Sequence, residues 1–295
     1  MGDPRSLASA ARSTRSGDGD PRDRRFAQVD VFGREPLRGN PVAVVIDADG
    51  LTDAEMQRFA TWTNLSETTF LLPPTTAGAD YRVRIFTGSG ELPFAGHPTL
   101  GTAHAWLGAG GRPATPGELV QECGIGLVTV RDDDGVLSFA APELLRSGPV
   151  DEELLAQAST GLGIERSTIV SSQWVDNGPG WIAVELASVG ELLAVEAHLD
   201  GLGLHGVGAF ARYPDGDERL LEVRAFFGEL EDPVTGSLNA GLAKWLVSSG
   251  RVTASYLAGQ GQAIGRDGLV HVTLDSERIW IGGRTATIIE GKVTV

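Results

Sequence analysis

Glu67, His97, Asp232 and Ser237 are the side chains of this sequence whose types and settings could carry proton-transfer chemistry. Glu67 lies beside apolar Leu65 and Phe70. A desolvated carboxyl has its pKa raised toward the range in which it can both take and give a proton at neutral pH. The alternative is an ordinary helix-end or strand-end Glu paired with an Arg. His97 and Ser237 each follow a glycine, in Gly96-His97-Pro98-Thr99 and Thr235-Gly236-Ser237. Each run opens a stretch that reads as a helix, and a helix start has unpaired N–H groups and partial positive charge. Gly96 and Gly236 would let a ligand approach that backbone, so two such starts facing one cleft would hold a carboxylate. The plainer reading is that Gly, Ser and Thr serve there as ordinary N-caps.

The elements that position these residues are written twice. Residues 83–103 match residues 223–243 at a constant offset of 140, with nine of 21 positions identical and no gap: Val83/Val223, Arg84/Arg224, Phe86/Phe226, Gly88/Gly228, Glu91/Glu231, Pro93/Pro233, Gly96/Gly236, Gly101/Gly241 and Ala103/Ala243. Ala43, Val44 and Phe70 match Ala183, Val184 and Phe210 at the same offset. Such self-similarity is the mark of a duplicated unit. The copies span roughly 26–142 and 143–277, and residues 278–295 are expected as an extra hairpin on the first lobe. At the same offset Glu67 aligns with Val207, Asp232 with Leu92, and His97 with Ser237. A scaffold has no need of a charge in one half only, although duplicated halves also drift.

Each copy reads as α+β. In the first, strands are expected at Ala27–Val31, Val42–Ile46, Thr69–Leu72, Arg82–Thr87, Leu127–Val130 and Leu137–Ala140, with β-branched and aromatic residues between turn signals. A helix is expected over Thr52–Trp62, with Thr52 as N-cap and Glu55 at the capping-box position. A second follows Gly96 and ends near Leu107. That segment and its twin, SLNAGLAKWL, are apolar or small on nearly every side, the pattern of a buried helix. The predicted fold is two pseudo-symmetric lobes, each a curved, barrel-like sheet around a central helix, with a cleft between them for a small ligand.

Composition narrows the partners. A formal net charge of −15 argues against nucleic acid and against anionic membranes, and no apolar run is long enough for a membrane span. An anionic substrate must be held by local positive potential. With Cys123 as the single cysteine, an internal disulfide and multi-cysteine metal sites are excluded, and a reducing, cytoplasmic setting is expected. His198, His205 and His271 show no metal-ligand spacing. Residues 1–25, rich in Arg, Asp, Gly and Ser, are expected as a disordered tail.

Gly39-Asn40-Pro41, Asn64-Leu65-Ser66-Glu67-Thr68-Thr69-Phe70, Glu91-Leu92-Pro93-Phe94-Ala95-Gly96-His97-Pro98-Thr99 and Glu231-Asp232-Pro233-Val234-Thr235-Gly236-Ser237 resemble the signature set of the PhzF-like phenazine biosynthesis family. Gln260-Gly261-Gln262 and Gly265-Arg266 resemble its late motif, and the likeness runs from about Phe26 to the C-terminus. It implies a fold similar to diaminopimelate epimerase and a cofactor-free, dimeric isomerase that moves a proton on a small carboxylic acid, such as a dihydro-hydroxyanthranilate. It places the acid/base role on Glu67, active-site roles on His97 and Asp232, and substrate carboxylate binding on Ser237 and the backbone of Gly96 and Gly236. Gly88, Leu230, Leu238 and Asn239 depart from the family's pattern and bear on substrate identity. The two thiols of the epimerase relatives are missing.

Other readings have less support. A racemase could use the same residues, and a non-catalytic carboxylate binder would keep the cleft but not need the buried acid. A serine hydrolase built from Ser237, His97 and Asp232 would lack a nucleophile elbow. The G-x-G-x-x-G run at 201–206 leads into a strand, the reverse of a dinucleotide site. His104 is expected in the core, and the repeated Arg84 and Arg224 in structural roles.

Overall fold

The computed structural model of the chain describes residues 22–202 and 206–295. The first copy contains β1 (Asp23–Val31), β2 (Asn40–Val45), α1 (Asp53–Thr63), β3 (Thr68–Leu72), β4 (Tyr81–Phe86), β5 (Glu91–Leu92), α2 (Gly96–Gly108), β6 (Glu118–Cys123), β7 (Gly126–Asp133) and β8 (Val136–Ala140). The second contains β9 (Arg146–Gly148), α3 (Glu152–Gly161), β10 (Ser171–Asp176), β11 (Trp181–Glu185), α4 (Val189–Leu193), β12 (Gly206–Arg212), β13 (Leu221–Phe227), β14 (Leu230–Glu231), α5 (Gly236–Ser248), β15 (Tyr256–Gln260) and β16 (Gly268–Leu274), and β17 (Ile279–Thr294) follows it. The tail expected over residues 1–25 lies largely outside the described residues, but Asp23–Arg25 open β1 and pair with the end of β17. The G-x-G-x-x-G run falls partly on 203–205, also outside them.

The first half closes on itself, and the second repeats its strand order. In the first, β1, β2, β3, β4, β6, β7, β8 and β17 pair in turn, and β17 returns to β1. In the second, β10, β11, β12, β13, β15, β16 and β17 follow the same order, and β9 pairs with β10. The parallel pairs fall at equivalent places, β2–β3 with β11–β12 and β4–β6 with β13–β15. The fold is thus α+β, with two pseudo-symmetric barrel-like lobes around α2 and α5.

Residues 278–295 do not form the expected hairpin. They are one long strand that starts beside β16, runs antiparallel to β8 from Trp280↔Ala140 to Arg284↔Val136, and ends against β1. The reason lies in Gly282 and Gly283, which mark close approach and not a turn. A Cβ at Gly282 would stand 2.7 Å from the Leu137 carbonyl oxygen, and one at Gly283 would stand 2.3 Å from the Phe32 ring.

The repeated glycines of the central helices have the same cause. A Cβ at Gly101 would meet Val42 Cγ1 at 2.3 Å, and one at Gly241 would meet the Val175 carbonyl oxygen at 2.3 Å. Both helices lie against their strands at a distance that only glycine permits. On the outer face of the first lobe, Met56 and Ala60 of α1 pack on Val45, Phe70 and Phe86. The expected capping box is present: the Thr52 hydroxyl accepts from Glu55 N at 3.3 Å, and Thr52 N donates to Glu55 Oε2 at 2.8 Å.

Candidate active site

The chain enters the site at the end of α1. Asn64 takes the left-handed conformation there (φ 56°), which Asn tolerates better than most residues, and the chain turns through Leu65 and Ser66 to Glu67. Thr68 then starts β3 in parallel with β2, so Glu67 and Asn40 mark the same end of the sheet. The Thr63 and Thr68 hydroxyls lie 2.8 Å apart and hold the two sides of this turn together.

The helices α2 and α5 meet at their N-termini. A Cβ on Gly236 would lie 3.2 Å from Gly96 Cα and 3.5 Å from His97 N, and a Cβ on Gly96 would lie 2.6 Å from Phe139 Cζ. Their N-cap residues, Ala95 and Thr235, make no side-chain cap to either helix. Two sets of uncapped N–H groups therefore converge, which is the physical basis of an anion site. The Ser237 hydroxyl beside them accepts from Trp181 Nε1 at 2.9 Å, which leaves its own proton available to a ligand.

His97, the second residue of α2, turns its ring toward Glu67, with Nε2 3.3 Å from Glu67 Oε2. Both atoms are buried and have no hydrogen-bond partner among the described residues. The imidazole makes a hydrogen bond with the Pro41 backbone. Proline has no N–H, so the ring is the donor there, and its Nδ1 lies 3.4 Å from Asn40 Nδ2. Burial pushes the His97 pKa down to about 3, so the ring is neutral. The Glu67 side chain is 16 % exposed, and desolvation, reinforced by the charge of Asp232, pushes its carboxyl up to about 8.

Asp232 comes from the other lobe, just after β14. Its Oδ1 accepts from Asn40 Nδ2 at 2.8 Å and its Oδ2 from the Thr235 hydroxyl at 2.5 Å. Desolvation raises its pKa to about 6, against the pull of these two donors. Behind it, Gln260 donates to the Asp232 carbonyl at 3.1 Å and to Thr235 Oγ1 at 3.0 Å, while its own oxygen accepts from Thr235 N and Asn239 Nδ2. A bidentate Arg224–Glu231 pair fixes the strand turn leading to Asp232, and Arg84–Glu91 repeats it in the first lobe.

The structure therefore brings Glu67, His97, Asp232, Gly96, Gly236 and Ser237 to one lobe junction. It does not assemble a hydrolase triad: Ser237 is bonded to Trp181 and the His97 ring lies against Glu67. His104 is half-buried and not in the core as expected, held between the Thr285 and Thr287 hydroxyls, each at 2.9 Å. Asn40, Thr235 and Gln260 had no role assigned from the sequence. Their positions inside the motif segments were the available signal.

Comparison with known proteins agrees with this architecture. The profile of the PhzC-PhzF family, described as phenazine biosynthesis-like protein, matches residues 29–291. The chain is 35 % identical to the trans-2,3-dihydro-3-hydroxyanthranilate isomerase of Pseudomonas fluorescens, over 92 % of this chain and 99 % of that one. It is 34 % identical to antisense-enhancing sequence 1 of Schizosaccharomyces pombe, over 90 % of this chain and 97 % of that protein. The crystal structure of a phenazine biosynthesis protein of the PhzF family from Enterococcus faecalis superposes with a TM-score of 0.76 at 26 % identity, covering 93 % of this chain and 100 % of that one.

Proposed function

We propose that this chain, which belongs to the phenazine biosynthesis-like family, is a cofactor-independent isomerase that moves a proton between two carbons of a small cyclic or amino carboxylic acid. Glu67 is the acid/base residue. The observation that carries the reading is the state of that carboxyl: enclosed, raised to about 8, and facing a neutral imidazole at 3.3 Å. A residue that only supported the fold would have a donor on Oε2.

The helix starts at Gly96 and Gly236, with Ser237, hold the substrate carboxylate. In its ionised form Glu67 takes the proton of an activated C–H, and the freed electron pair moves through the adjacent double bond. The protonated Glu67 then delivers the proton to the remote carbon, so one C–H bond breaks, one forms and the enzyme is restored. Asp232 accepts a hydrogen bond from a hydroxyl or amine of the substrate, and His97 faces the Glu67 carboxyl as a neutral ring 3.3 Å away. The named activity of the Pseudomonas fluorescens relative makes trans-2,3-dihydro-3-hydroxyanthranilate the first substrate to try.

A racemase reading needs a second base on the opposite face. The repeat equivalent of Glu67 is Val207, fully buried and apolar, which favours the one-base isomerase. No helix among the described residues is long and apolar enough to cross a membrane. The single thiol and the family fit a cytoplasmic homodimer, and sedimentation would separate the 31.0 kDa monomer from twice that mass.

The test is wild type against Glu67→Gln in D₂O with a panel of small cyclic and amino carboxylic acids, followed by mass spectrometry and NMR. Deuterium uptake or isomer formation by the wild type alone supports the assignment. Near-normal turnover by the Gln variant would remove Glu67 from the mechanism.

A further inference from the structure

We propose that Asn40 is the positioning residue of this site: it reaches across the lobe junction to hold Asp232 as an ionised, doubly hydrogen-bonded acceptor, and so leaves Glu67 as the proton carrier. The inference rests on the proton-transfer reading above, but its test does not use turnover.

Asn40 is the first residue of β2 and is fully buried. An amide nitrogen has two protons. In Asn40 one goes to Asp232 Oδ1 at 2.8 Å and the other to the Val234 carbonyl at 3.0 Å, both in the second lobe. Neither acceptor can donate in return, so the amide cannot flip. Nδ2 also approaches His97 Nδ1, at 3.4 Å, farther than either of these acceptors. Asn40 Oδ1 is buried without a partner among the described residues. An Asn present only to satisfy the fold would have both ends of its amide bonded, and here one end is given up so that the other can serve Asp232.

The consequence is electrostatic. With Asn40 on Oδ1 and Thr235 on Oδ2, both oxygens of Asp232 face donors, an arrangement that favours the charged form. The groups around it oppose this: Glu67 from the loop before β3, and Glu231 from β14, the latter neutralised by Arg224 from β13. His97 from α2 is neutral. The balance leaves Asp232 near 6 and Glu67 near 8, so at pH 7 Asp232 is ionised and Glu67 holds a proton it can exchange. The repeat equivalent of Asn40 is Gly180, so the second lobe offers no substitute.

The test is carboxyl titration by ¹³C NMR in the full-length protein, for wild type, Asn40→Leu and Asn40→Ala. Either folded variant is expected to raise the Asp232 midpoint by a pH unit or more, a tenfold or larger gain in proton affinity, and to lower that of Glu67 as its charged neighbour is lost. In wild type, the Asn40 side-chain amide protons are expected to shift with the Asp232 midpoint, a readout that needs no variant. An Asn40 amide insensitive to pH between 4 and 8, or an Asp232 midpoint unmoved in a folded variant, would overturn the assignment. Failure of Glu67→Gln to abolish exchange would instead strike the proposed function and leave the titration result standing.

Discussion

Replacing Glu67 by Gln keeps the size of the side chain and removes its titration. The folded carboxyl is held at about 8 against an ordinary value of 4.5, because burial disfavours the charged form and Asp232 adds a like charge. In the unfolded chain the group ionises near 4.5. The stability it permits is therefore fully present below that pH and is lost as pH rises through the folded value. At about 1.4 kcal/mol for each factor of ten in proton affinity, the interval from 4.5 to about 8 corresponds to about 5 kcal/mol, and the part of it up to pH 7 to about 3 kcal/mol. Gln carries no such loss. Urea unfolding of both proteins across pH 4–9 is expected to show near-equal stability at pH 4, the Gln variant ahead by about 3 kcal/mol at pH 7, and by about 5 kcal/mol above pH 8. All other groups titrate in both proteins and largely cancel in the difference. The same substitution is expected to lower turnover by about 10²–10⁴-fold. A stability difference that stays flat from pH 4 to 9 would refute the description of Glu67 as an enclosed, mostly protonated acid.

Three further outcomes follow from the geometry. His97 is held neutral by burial, with its pKa near 3, so its own contribution to stability is lost as pH falls from 6.5 toward 3, against the gain from Glu67 down to 4.5. His97→Asn should flatten that window in acid unfolding followed by circular dichroism. Gly236→Ala would place a methyl group 3.2 Å from Gly96 Cα and 3.3 Å from Phe139 Cζ, which is expected to cost about 1–3 kcal/mol and to raise KM more than it lowers kcat. Arg224→Met leaves Glu231 and the Leu192 and Val195 carbonyls without their buried donor, for an expected loss of about 3–5 kcal/mol. Arg84→Met, whose partner Glu91 is 41 % exposed, should lose roughly 1 kcal/mol or less, and thermal unfolding of the two variants measures the contrast.

What could be read from the sequence was whatever left a periodic or repeated trace. The capping box at Thr52, the apolar central helices and the paired glycines all did so, because each answers a local steric or hydrogen-bonding demand. Glu67 was legible because its repeat partner is a valine in an apolar setting. Asn40 was not: an Asn between Gly and Pro reads as a turn residue, and its partner Asp232 lies 192 residues away. Gln260 and Thr235 act on Asp232 only through the fold. The long strand over residues 278–295 was not legible, because glycine serves both turns and close backbone approaches, and at Gly282 and Gly283 β8 and Phe32 take up the space a side chain would need.

The asymmetry between the two lobes also bears on which face of the substrate reacts. The halves repeat in strand order and in helix position, so a substrate held at the junction of α2 and α5 has equivalent scaffolding on either side. Reversible abstraction from opposite faces, as a two-base racemase requires, would need an acid from each lobe at equivalent places. The equivalents of Glu67 and Asp232 are Val207 and Leu92, and both oxygens of Asp232 are engaged by donors. One mobile proton on one carboxyl remains. In D₂O, the deuterium placed on the product is therefore expected on the same face from which the substrate proton left, whether or not Glu67 exchanges with solvent between the two steps. NMR assignment of the product's stereochemistry measures this. Deuterium on the opposite face would mean a second base that the geometry at Val207 does not supply, and would return the racemase reading to first place.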